Sequence, residues 1–372
     1  MTGIFQRSGG RVTVQPQFFA LLGLLFTLVG YGQVSSVKRD QEIVFFPSVA
    51  HRSNDGKTWE LEIRGCVYKP DQRQVEMALL REALGLDQVK MSELEDATLA
   101  RRARLFMVDN KGGRRIVVRL GSETFTVGKS GSDGKFSSVV HLSDADVDIL
   151  RSDPLPVRAV LPRDDPRRFA GEVGFVDDTG ITVVSDIDDT IKITQVRDRN
   201  DMLRNTFLEP FKPVPGMSQV YRAWAERTQA QFDYVSASPW QLFLPLSEFV
   251  RSNGFPAGTF YLKNFRLKDK SFRSLFQDPE KYKPAVIEPL LKQFPNRHFV
   301  LVGDSGERDP EVYGALARRF PKQVIRIFIR DVTNEPSTSD RYKQAFHDVP
   351  AARWKVFRKP AEIMNSLDES AN

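Results

Sequence analysis

Residues 181–190 read ITVVSDIDDT, and this stretch decides the fold of the second half of the chain. Its β-branched run ITVV is typical of a buried strand in a parallel sheet. Ligand sites in open α/β sheets form just beyond the carboxyl ends of such strands, and here that end carries Asp186, Asp188 and Asp189. Carboxylates this close together repel one another unless a cation lies among them. The stretch therefore indicates a cation-binding strand end, with an acidic helix cap as the alternative.

Strands and helices alternate after residue 181, which is the pattern of a parallel sheet in an α/β protein. The further predicted strands are FDYVSAS (232–238), HFVLVGD (298–304) and QVIRIFIRDV (323–332). The predicted helices are GMSQVYRAWAE (216–226), the segment 239–252 and PAVIEPLLKQF (284–294). The first and last of these helices carry apolar residues at helical spacing, so each has one face to bury against the sheet.

Polar residues at the ends of three predicted strands can meet at one edge of this sheet. They are Asp186 with Asp188, then Ser236, then Asp304, and Lys283 lies at the start of a helix between the last two. All strands of a parallel sheet present their carboxyl ends at the same edge, so these groups can converge. Two carboxylates from separate strands could hold a hard divalent ion such as Mg²⁺. A neighbouring aspartate could attack phosphorus, and a serine and a lysine could bind phosphoryl oxygens.

This order of residues resembles the haloacid-dehalogenase (HAD) superfamily of phosphotransferases. It resembles more closely the actin-patch-protein-type phosphatidate phosphatases and their bacterial relatives. The matching segments are SDIDDTIKIT (185–194), NTFLEPFKPVPGM (205–217), YVSASPWQL (234–242) and LVGDSGERDPEVY (301–313). They are specific as a set and cover about residues 174–332, whereas the resemblance is much weaker over the N-terminal half. It implies a Rossmann-like, HAD-type parallel-sheet domain over 174–372 that acts as a Mg²⁺-dependent phosphatase.

The resemblance implies catalytic and metal-binding roles for the strand-end carboxylates. Asp186 would be the nucleophile and a metal ligand. Asp188 would be the general acid and base, and its backbone carbonyl would also bind the metal. Asp304 would complete the metal site. The supporting residues would be Asp189, Thr190, Ser305 and Asp309.

The resemblance also implies a phosphate-binding pair and a substrate. Ser236 and Lys283 would bind the substrate phosphate, with Ser238 and Lys281 as the competing residues at these two positions. The implied substrate is phosphatidate, hydrolysed through an aspartyl-phosphate intermediate to diacylglycerol and phosphate. One alternative is a HAD-type phosphatase for a non-lipid phosphomonoester. The other is a binding protein with a vestigial phosphatase site, although the intact set of site residues argues against it.

The N-terminus has the pattern of a leader. Arg7 and Arg11 precede an uncharged apolar stretch, FFALLGLLFTLVGYG, at 18–32. A basic start and a short apolar run are typical of a signal peptide, and the run is shorter than the about 20 residues of a bilayer span. An uncleaved membrane anchor and a buried helix are the alternatives. We therefore expect residues 1–37 to be a signal peptide or anchor and the protein to be exported or membrane-anchored, with a cytoplasmic location as the alternative.

Residues 38–173 are expected to form an all-β, sandwich-like accessory domain. The alternating segments are EIVFF (42–46), WELEIRGCVY (59–68), RRIVVRL (114–120) and FTVGKS (125–130). Turn signals separate them, as in small β-sandwiches. One helix is predicted at 75–86, and PRDDPRR (162–168) is expected to link this domain to the next. It contains no catalytic constellation, and its protein partner is unknown.

Composition limits the classes of partner and metal site. Fifty-four basic and 48 acidic residues give a net charge of +6. Because the two signs are interspersed, this charge suits phosphate esters or an acidic membrane surface and gives no reason to expect nucleic acid. The single cysteine, Cys66, excludes an internal disulfide and a cysteine-based zinc site, so a metal would be bound by oxygen. The basic stretch KNFRLKDKSFR (263–273) could contact a bilayer or be a solvated loop.

Overall fold

The computed structural model describes the chain in five ranges, which are 34–53, 55–70, 74–150, 154–263 and 279–367. The expected leader, apart from its last four residues, lies outside the described residues. The same is true of most of the basic stretch 263–273. None of the helices within the five ranges is long and apolar enough to cross a membrane.

The N-terminal part of the chain is built on a mostly antiparallel sheet of nine strands. These are β1 (Glu42–Phe46), β2 (Ser48–Arg52), β3 (Trp59–Lys69), β4 (Asp109–Asn110), β5 (Arg115–Leu120), β6 (Glu123–Lys129), β7 (Lys135–Leu142), β8 (Leu155–Ala159) and β9 (Ala170–Val176). The central strand β3 pairs antiparallel with β1, β2, β4 and β7, whereas β2 and β9 pair in parallel. The prediction of a β-rich region is confirmed. The sandwich arrangement and the boundary at residue 173, which β9 crosses, stay predictions.

Three helices interrupt this sheet, where the sequence predicts one. They are α1 (Gln74–Leu84), which matches the predicted helix, α2 (Glu93–Ala103) and α3 (Asp144–Leu150). A capping box starts α2: the Glu95 amide donates to the Ser92 hydroxyl (3.3 Å), and the Ser92 amide donates to the Glu95 carboxylate (2.8 Å). Such a box stabilises a helix start even where apolar periodicity is weak. The region is therefore β-rich rather than all-β.

The second half of the chain is built on a parallel sheet of six strands in the order β14-β13-β10-β15-β16-β17. The strands are β10 (Ile181–Ser185), β13 (Gln231–Pro239), β14 (Thr259–Lys263), β15 (His298–Asp304), β16 (Val324–Arg330) and β17 (Trp354–Phe357), and β11 (Lys192–Ile193) pairs with β12 (Lys212–Pro213) in a separate antiparallel ladder. The helices are α4 (Arg199–Leu203), α5 (Met217–Thr228), α6 (Phe243–Ser252), α7 (Pro279–Gln293), α8 (Asp309–Arg319) and α9 (Asp340–Ala345). All four strands predicted from residue 181 onward are present, and β10 lies between β13 and β15.

Both faces of the parallel sheet are covered. Successive residues of β10 point to opposite faces, and accordingly Val183 and Val184 belong to two different apolar cores. The core around Val183 contains the apolar residues of α5 and α6, and the core around Val184 contains those of α7 and α8. A strand that is buried on both faces needs a continuous apolar run, which explains why ITVV is apolar or β-branched throughout.

The two sheets share one of these cores. Val44 and Cys66 of the N-terminal sheet belong to the same apolar cluster as Val183. The ring of Phe46 also meets the ring of Phe243 edge-on, with 5.2 Å between ring centroids. The β-rich part therefore packs directly on the parallel-sheet part and is not a separately tethered module.

Candidate active site

Three buried carboxylates meet at the carboxyl edge of the parallel sheet. Asp186 follows β10, Asp304 ends β15, and Asp309 begins α8. Carboxylate oxygens of the three residues lie within 4.8 Å of one another, and each side chain is at most 1% exposed. Because β10 and β15 are parallel neighbours, Asp186 and Asp304 leave the sheet side by side. Gly303 has no Cβ, and a Cβ there would lie only 2.1 Å from the Asp309 carboxylate.

Lys283 is the cation that faces this acidic cluster. Its Nζ lies 3.0 Å from Asp186 Oδ1 and 3.0 Å from Glu307 Oε2, and it also contacts Asp309. The side chain is completely buried. The structure thus places Lys283 in the site and Lys281 on the exposed side of α7. Glu307 was not predicted from the sequence.

The acidic cluster holds more negative charge than Lys283 balances. Burial and the neighbouring carboxylate of Asp309 raise the pKa of Asp304 well above its ordinary value. Burial likewise raises the pKa of Asp186, against the opposing effect of Lys283. One oxygen of each of these two carboxylates, Oδ2, accepts no hydrogen bond from the described residues. Buried oxygens without donors are costly, and three converging carboxylates are the donor set of a hard divalent cation. The site therefore fits a metal ion.

Asp188 lies beside this cluster but has its own partners. Its Oδ1 is 2.8 Å from Lys192 Nζ and accepts a hydrogen bond from Thr194 (2.7 Å). Its Oδ2 accepts hydrogen bonds from Ser236 (2.9 Å) and Ser238 (3.0 Å). Burial raises the pKa of Asp188, but Lys192 and these hydroxyls outweigh burial and hold the pKa at about 2. Asp188 is thus a carboxylate in this structure, and both competing serines reach it.

The buried carboxylate cluster and the predicted metal-ligand set share Asp186 and Asp304 but differ in their third member, and metal binding by either set stays a prediction. The prediction named Asp186, Asp188 and Asp304, whereas the carboxylate cluster contains Asp309 in place of Asp188. The side chain of Asp188 is directed to Lys192 instead. A contribution of the Asp188 backbone carbonyl stays a prediction.

The supporting residues hold the loops around the cluster. Asp189 has a left-handed backbone (φ 53°), and its carboxylate accepts hydrogen bonds from the amides of residues 194–196 at 2.7–2.8 Å. Ser305 accepts a hydrogen bond from the Val332 amide (2.9 Å) and so ties the loop after β15 to the loop after β16. Thr190 is completely buried. These residues hold the loops around the cluster, and their supporting role in catalysis stays a prediction.

Lys192 and Thr194 are site residues that sequence reasoning missed. Lys192 is 1% exposed, and its ammonium group lies 4.9 Å from the ring centroid of Phe211. Because lysine is rarely buried without a partner, its residue type alone predicts a solvated side chain. The pairing of β11 with β12 returns it to the end of β10. The one available signal was its place in the segment KIT, which directly follows DIDDTI.

A cavity of about 300 Å³ opens next to Asp188. Its lining includes the buried residues Asp188 and Ser238, the half-buried Glu307 and the exposed Arg197 and Arg199, so we call the buried end its base and the exposed end its outer wall. The cavity gives a ligand access to the hydroxyls that surround Asp188. The arrangement can therefore receive an anion, hold it beside buried carboxylates and transfer protons to or from it.

Parts of the chain are similar to known proteins. Residues 181–331 match the family model described as the catalytic domain of phosphatidate phosphatase APP1. Phosphatidate phosphatase APP1 of Saccharomyces cerevisiae is 37% identical over 176 residues, which are 46% of this chain and 30% of the yeast protein. A protein of Schizosaccharomyces pombe described as uncharacterized is 31% identical over 173 residues, which are 45% of this chain and 28% of that protein. A solved structure described as a candidate beta-phosphoglucomutase from Thermotoga maritima has 15% identity and a TM-score of 0.30, covering 50% of this chain and 98% of that one.

The match and the carboxylate cluster lie in the same part of the chain, residues 181–331, which is similar to the catalytic domain of a phosphatase. More particularly, it is similar to the phosphatidate phosphatase APP1 type, which confirms the resemblance noted in the sequence. The chain spans less than a third of the length of the curated relatives it matches.

Proposed function

We propose that the protein is a Mg²⁺-dependent phosphatidate phosphatase that releases diacylglycerol and phosphate through an aspartyl-phosphate on Asp186. The observation that carries the proposal is the position of Asp186. Its buried carboxylate lies between Lys283 and the carboxylates of Asp304 and Asp309, within the residues that match the APP1 catalytic domain. A parallel sheet with its site at the carboxyl edge also supports the HAD-type, Rossmann-like assignment.

The metal would be held by Asp186, Asp304 and Asp309. The support for this is the pair of buried oxygens without hydrogen-bond donors on Asp186 and Asp304. When bound, Mg²⁺ would reduce the repulsion between carboxylates and phosphate and stabilise the charge of the transferred group. Its octahedral preference would leave positions for water and substrate.

Lys283 would keep the nucleophile ionised. Burial and the neighbouring carboxylates favour the protonated form of Asp186, and the ion pair with Lys283 opposes that effect. An ionised Asp186 attacks phosphorus, the bond from phosphorus to the glycerol oxygen breaks, and an acyl phosphate forms on Asp186. Lys283 is engaged by three carboxylates, so it would contact the phosphate only after one of these has turned to the metal.

Asp188 would move the protons of both half-reactions. In the present structure Ser236 and Ser238 donate hydrogen bonds to its carboxylate. If a bound phosphate takes over these two donors, the Asp188 carboxylate loses part of its stabilisation and its pKa rises. A protonated Asp188 can then donate to the leaving glycerol oxygen. As a carboxylate it later accepts a proton from the water that attacks the acyl phosphate.

The size of the cavity favours insertion of the headgroup alone. A volume of about 300 Å³ accommodates a phosphate and part of a glycerol, but not two acyl chains. The chains of phosphatidate would therefore stay in the membrane or micelle while the headgroup enters. The same size favours a second candidate, a water-soluble phosphomonoester of similar dimensions. For a lipid substrate, export or anchoring through residues 1–37 would bring the enzyme to the membrane.

The deciding experiment is phosphate release from phosphatidate in detergent micelles, with and without Mg²⁺, by wild type and by Asp186→Asn. Mg²⁺-dependent release that disappears in the variant supports the lipid substrate and the nucleophile together. Release from a soluble ester alone, again dependent on Asp186, favours the second candidate. If neither substrate is hydrolysed, the proposal is wrong and the vestigial-site reading gains support.

A further inference from the structure

The charges at the base of the cavity oppose the substrate that the proposed function requires. Asp188 and Glu307 line the cavity. With the groups linked to them by ion pairs and by the carboxylate cluster, they make up five carboxylates and two ammonium groups, of Asp186, Asp188, Asp304, Glu307 and Asp309 and of Lys192 and Lys283. Both lysines already contact carboxylates at 3.0 Å or less. A phosphomonoester dianion that approaches this base meets an excess of negative charge even beside a divalent cation. The approach of the phosphomonoester to the cavity is therefore favourable only if cationic side chains lie elsewhere along its entrance.

Arg197 and Arg199 supply cations at the required place. Both line the outer wall of the cavity whose base includes Asp188, and both are exposed. Within the described part of the chain neither has a hydrogen-bond or ion-pair partner. The nearby Arg204, by contrast, pairs with Glu95 (2.7 Å) and Glu209 (3.1 Å). Asp198 lies between the two arginines in the sequence. Its carboxylate caps α4 and accepts hydrogen bonds from two backbone amides of that helix.

The loop that carries the two arginines is fixed to the catalytic strand end. The amides of residues 194–196 donate to the Asp189 carboxylate, and Asp198 caps the helix that begins at Arg199. Asp189 is three residues from Asp186. The backbone that carries the arginine pair is thus tied to the turn that directly follows the proposed nucleophile.

We propose that Arg197 and Arg199 bind the phosphate dianion of the incoming ester at the cavity mouth and thereby select phosphomonoesters. The planar guanidinium group with its several donors suits a phosphate group with three free oxygens. The inference rests on the proposed function and adds the residues that recognise the headgroup. The chemistry of recognition is the same whether the phosphate belongs to a lipid or to a soluble ester.

The test compares wild type with the double variant Arg197→Gln/Arg199→Gln. The matched control is Arg163→Gln/Arg168→Gln, which removes the same charge from two exposed arginines that are not among the cavity-lining residues. Since none of the four has a partner among the described residues, both variants should fold. We expect kcat/KM to fall about tenfold in the first variant with phosphatidate micelles and with p-nitrophenyl phosphate. We expect kcat to change less than about twofold, and the control to match wild type.

A binding measurement separates failure of this inference from failure of the proposed function. Inorganic phosphate is titrated calorimetrically into wild type and both variants, which needs no turnover. About tenfold weaker binding in the cavity variant alone supports the inference, whatever ester the enzyme hydrolyses. Equal binding and equal kcat/KM in all three proteins overturn it. A loss of kcat/KM with phosphatidate micelles but not with p-nitrophenyl phosphate also overturns it, since the arginines would then contact the lipid surface and not the phosphate of the ester.

Discussion

Lys283 and Asp186 form a completely buried ion pair, with 3.0 Å between the Lys283 Nζ and the Asp186 Oδ1. The lysine comes from α7 and the aspartate from the end of β10, so the pair joins a helix on one face of the sheet to the centre of its catalytic edge. The same ammonium contacts Glu307 and Asp309. Removing either member of the pair should therefore have different effects on activity and on stability.

Asp186→Asn should abolish catalysis and preserve the fold. An amide oxygen is a poor nucleophile, so we expect phosphate release to fall at least about 10³-fold. Lys283 keeps its contacts with Glu307 and Asp309, and a crowded negative charge is removed, so the melting temperature should stay within a few degrees of wild type. Phosphate release and thermal unfolding, measured on the same preparation, check the loss of catalysis and the preserved fold. Activity near the wild-type level would show that Asp186 is not the nucleophile.

Lys283→Met should destabilise the protein strongly. Removing the buried ammonium leaves Asp186, Glu307 and Asp309 without their common partner, and breaking a buried ion pair from one side costs about 3–5 kcal/mol. The measurement is the free energy of unfolding from urea titration. Lys281→Met is the matched control two residues earlier, where the side chain is exposed and the expected change is within about 0.5 kcal/mol. Equal stability of the two variants would contradict a structural role for the Lys283 ion pairs.

A divalent cation should stabilise the folded protein, and Asp304 should be required for this effect. Binding to the folded state alone adds about 2.7 kcal/mol at a concentration 100 times the dissociation constant. We therefore expect Mg²⁺ to raise the melting temperature of wild type and EDTA to reverse the increase. Asp304→Asn should lose the increase, whereas Asp148→Asn, at an exposed position of α3, should keep it. A Mg²⁺ effect that persists in Asp304→Asn would place the ion elsewhere.

Lys192→Met should shift the pH dependence of proton transfer through Asp188. The ion pair with Lys192 and the hydrogen bonds from neighbouring hydroxyls lower the pKa of Asp188 against the effect of burial. Without the ammonium the pKa of Asp188 rises, so the acidic limb of the pH–rate profile should move to higher pH. An unchanged profile would show that Lys192 has only a packing role against Phe211.

The fold of the catalytic half could be predicted because its strands are short apolar runs that end in polar residues. The predicted strands at 232–238 and 298–304 match β13 and β15 within one residue at either end. Helix α2 could not be predicted from apolar spacing, because its buried face includes the charged residue Arg102. That side chain is 2% exposed and donates a hydrogen bond to the Thr206 carbonyl at 2.7 Å. Tertiary hydrogen bonds, which are absent from the local sequence pattern, hold this helix.

The candidate site could be predicted as far as parallel topology determines it. Strand order alone brings Asp186 and Asp304 to one edge. It does not determine which normally exposed, charged residues become buried at that edge, and so Lys192 and Glu307 were not predicted. Lysine and glutamate are solvated in most proteins. Here Lys192 is buried beside Asp188, which lies four residues earlier, whereas Glu307 pairs with Lys283 from α7.

Asp233 should make the protein less stable as the pH rises through the weakly acidic range. This residue of β13 is 8% exposed. Burial raises its pKa from 3.8 to about 7, although Arg64, Arg297 and a hydrogen bond from Thr259 oppose the shift. The unfolded chain loses this proton near pH 4, so between about pH 4 and pH 7 the folded state holds more protons. The free energy of unfolding therefore falls as the pH rises through this range.

Asp233→Asn removes this dependence because the amide does not titrate. At pH 4 the variant and wild type should be about equally stable, since Asp233 is protonated in the folded protein. At pH 8 the variant should be more stable by up to about 4 kcal/mol, the free energy that corresponds to a shift of about three pH units. Urea titrations at four or five pH values between 4 and 8 measure the difference, with Asp148→Asn as the exposed control. Parallel curves for Asp233→Asn and wild type would mean that Arg64 and Arg297 keep Asp233 ionised in the folded protein.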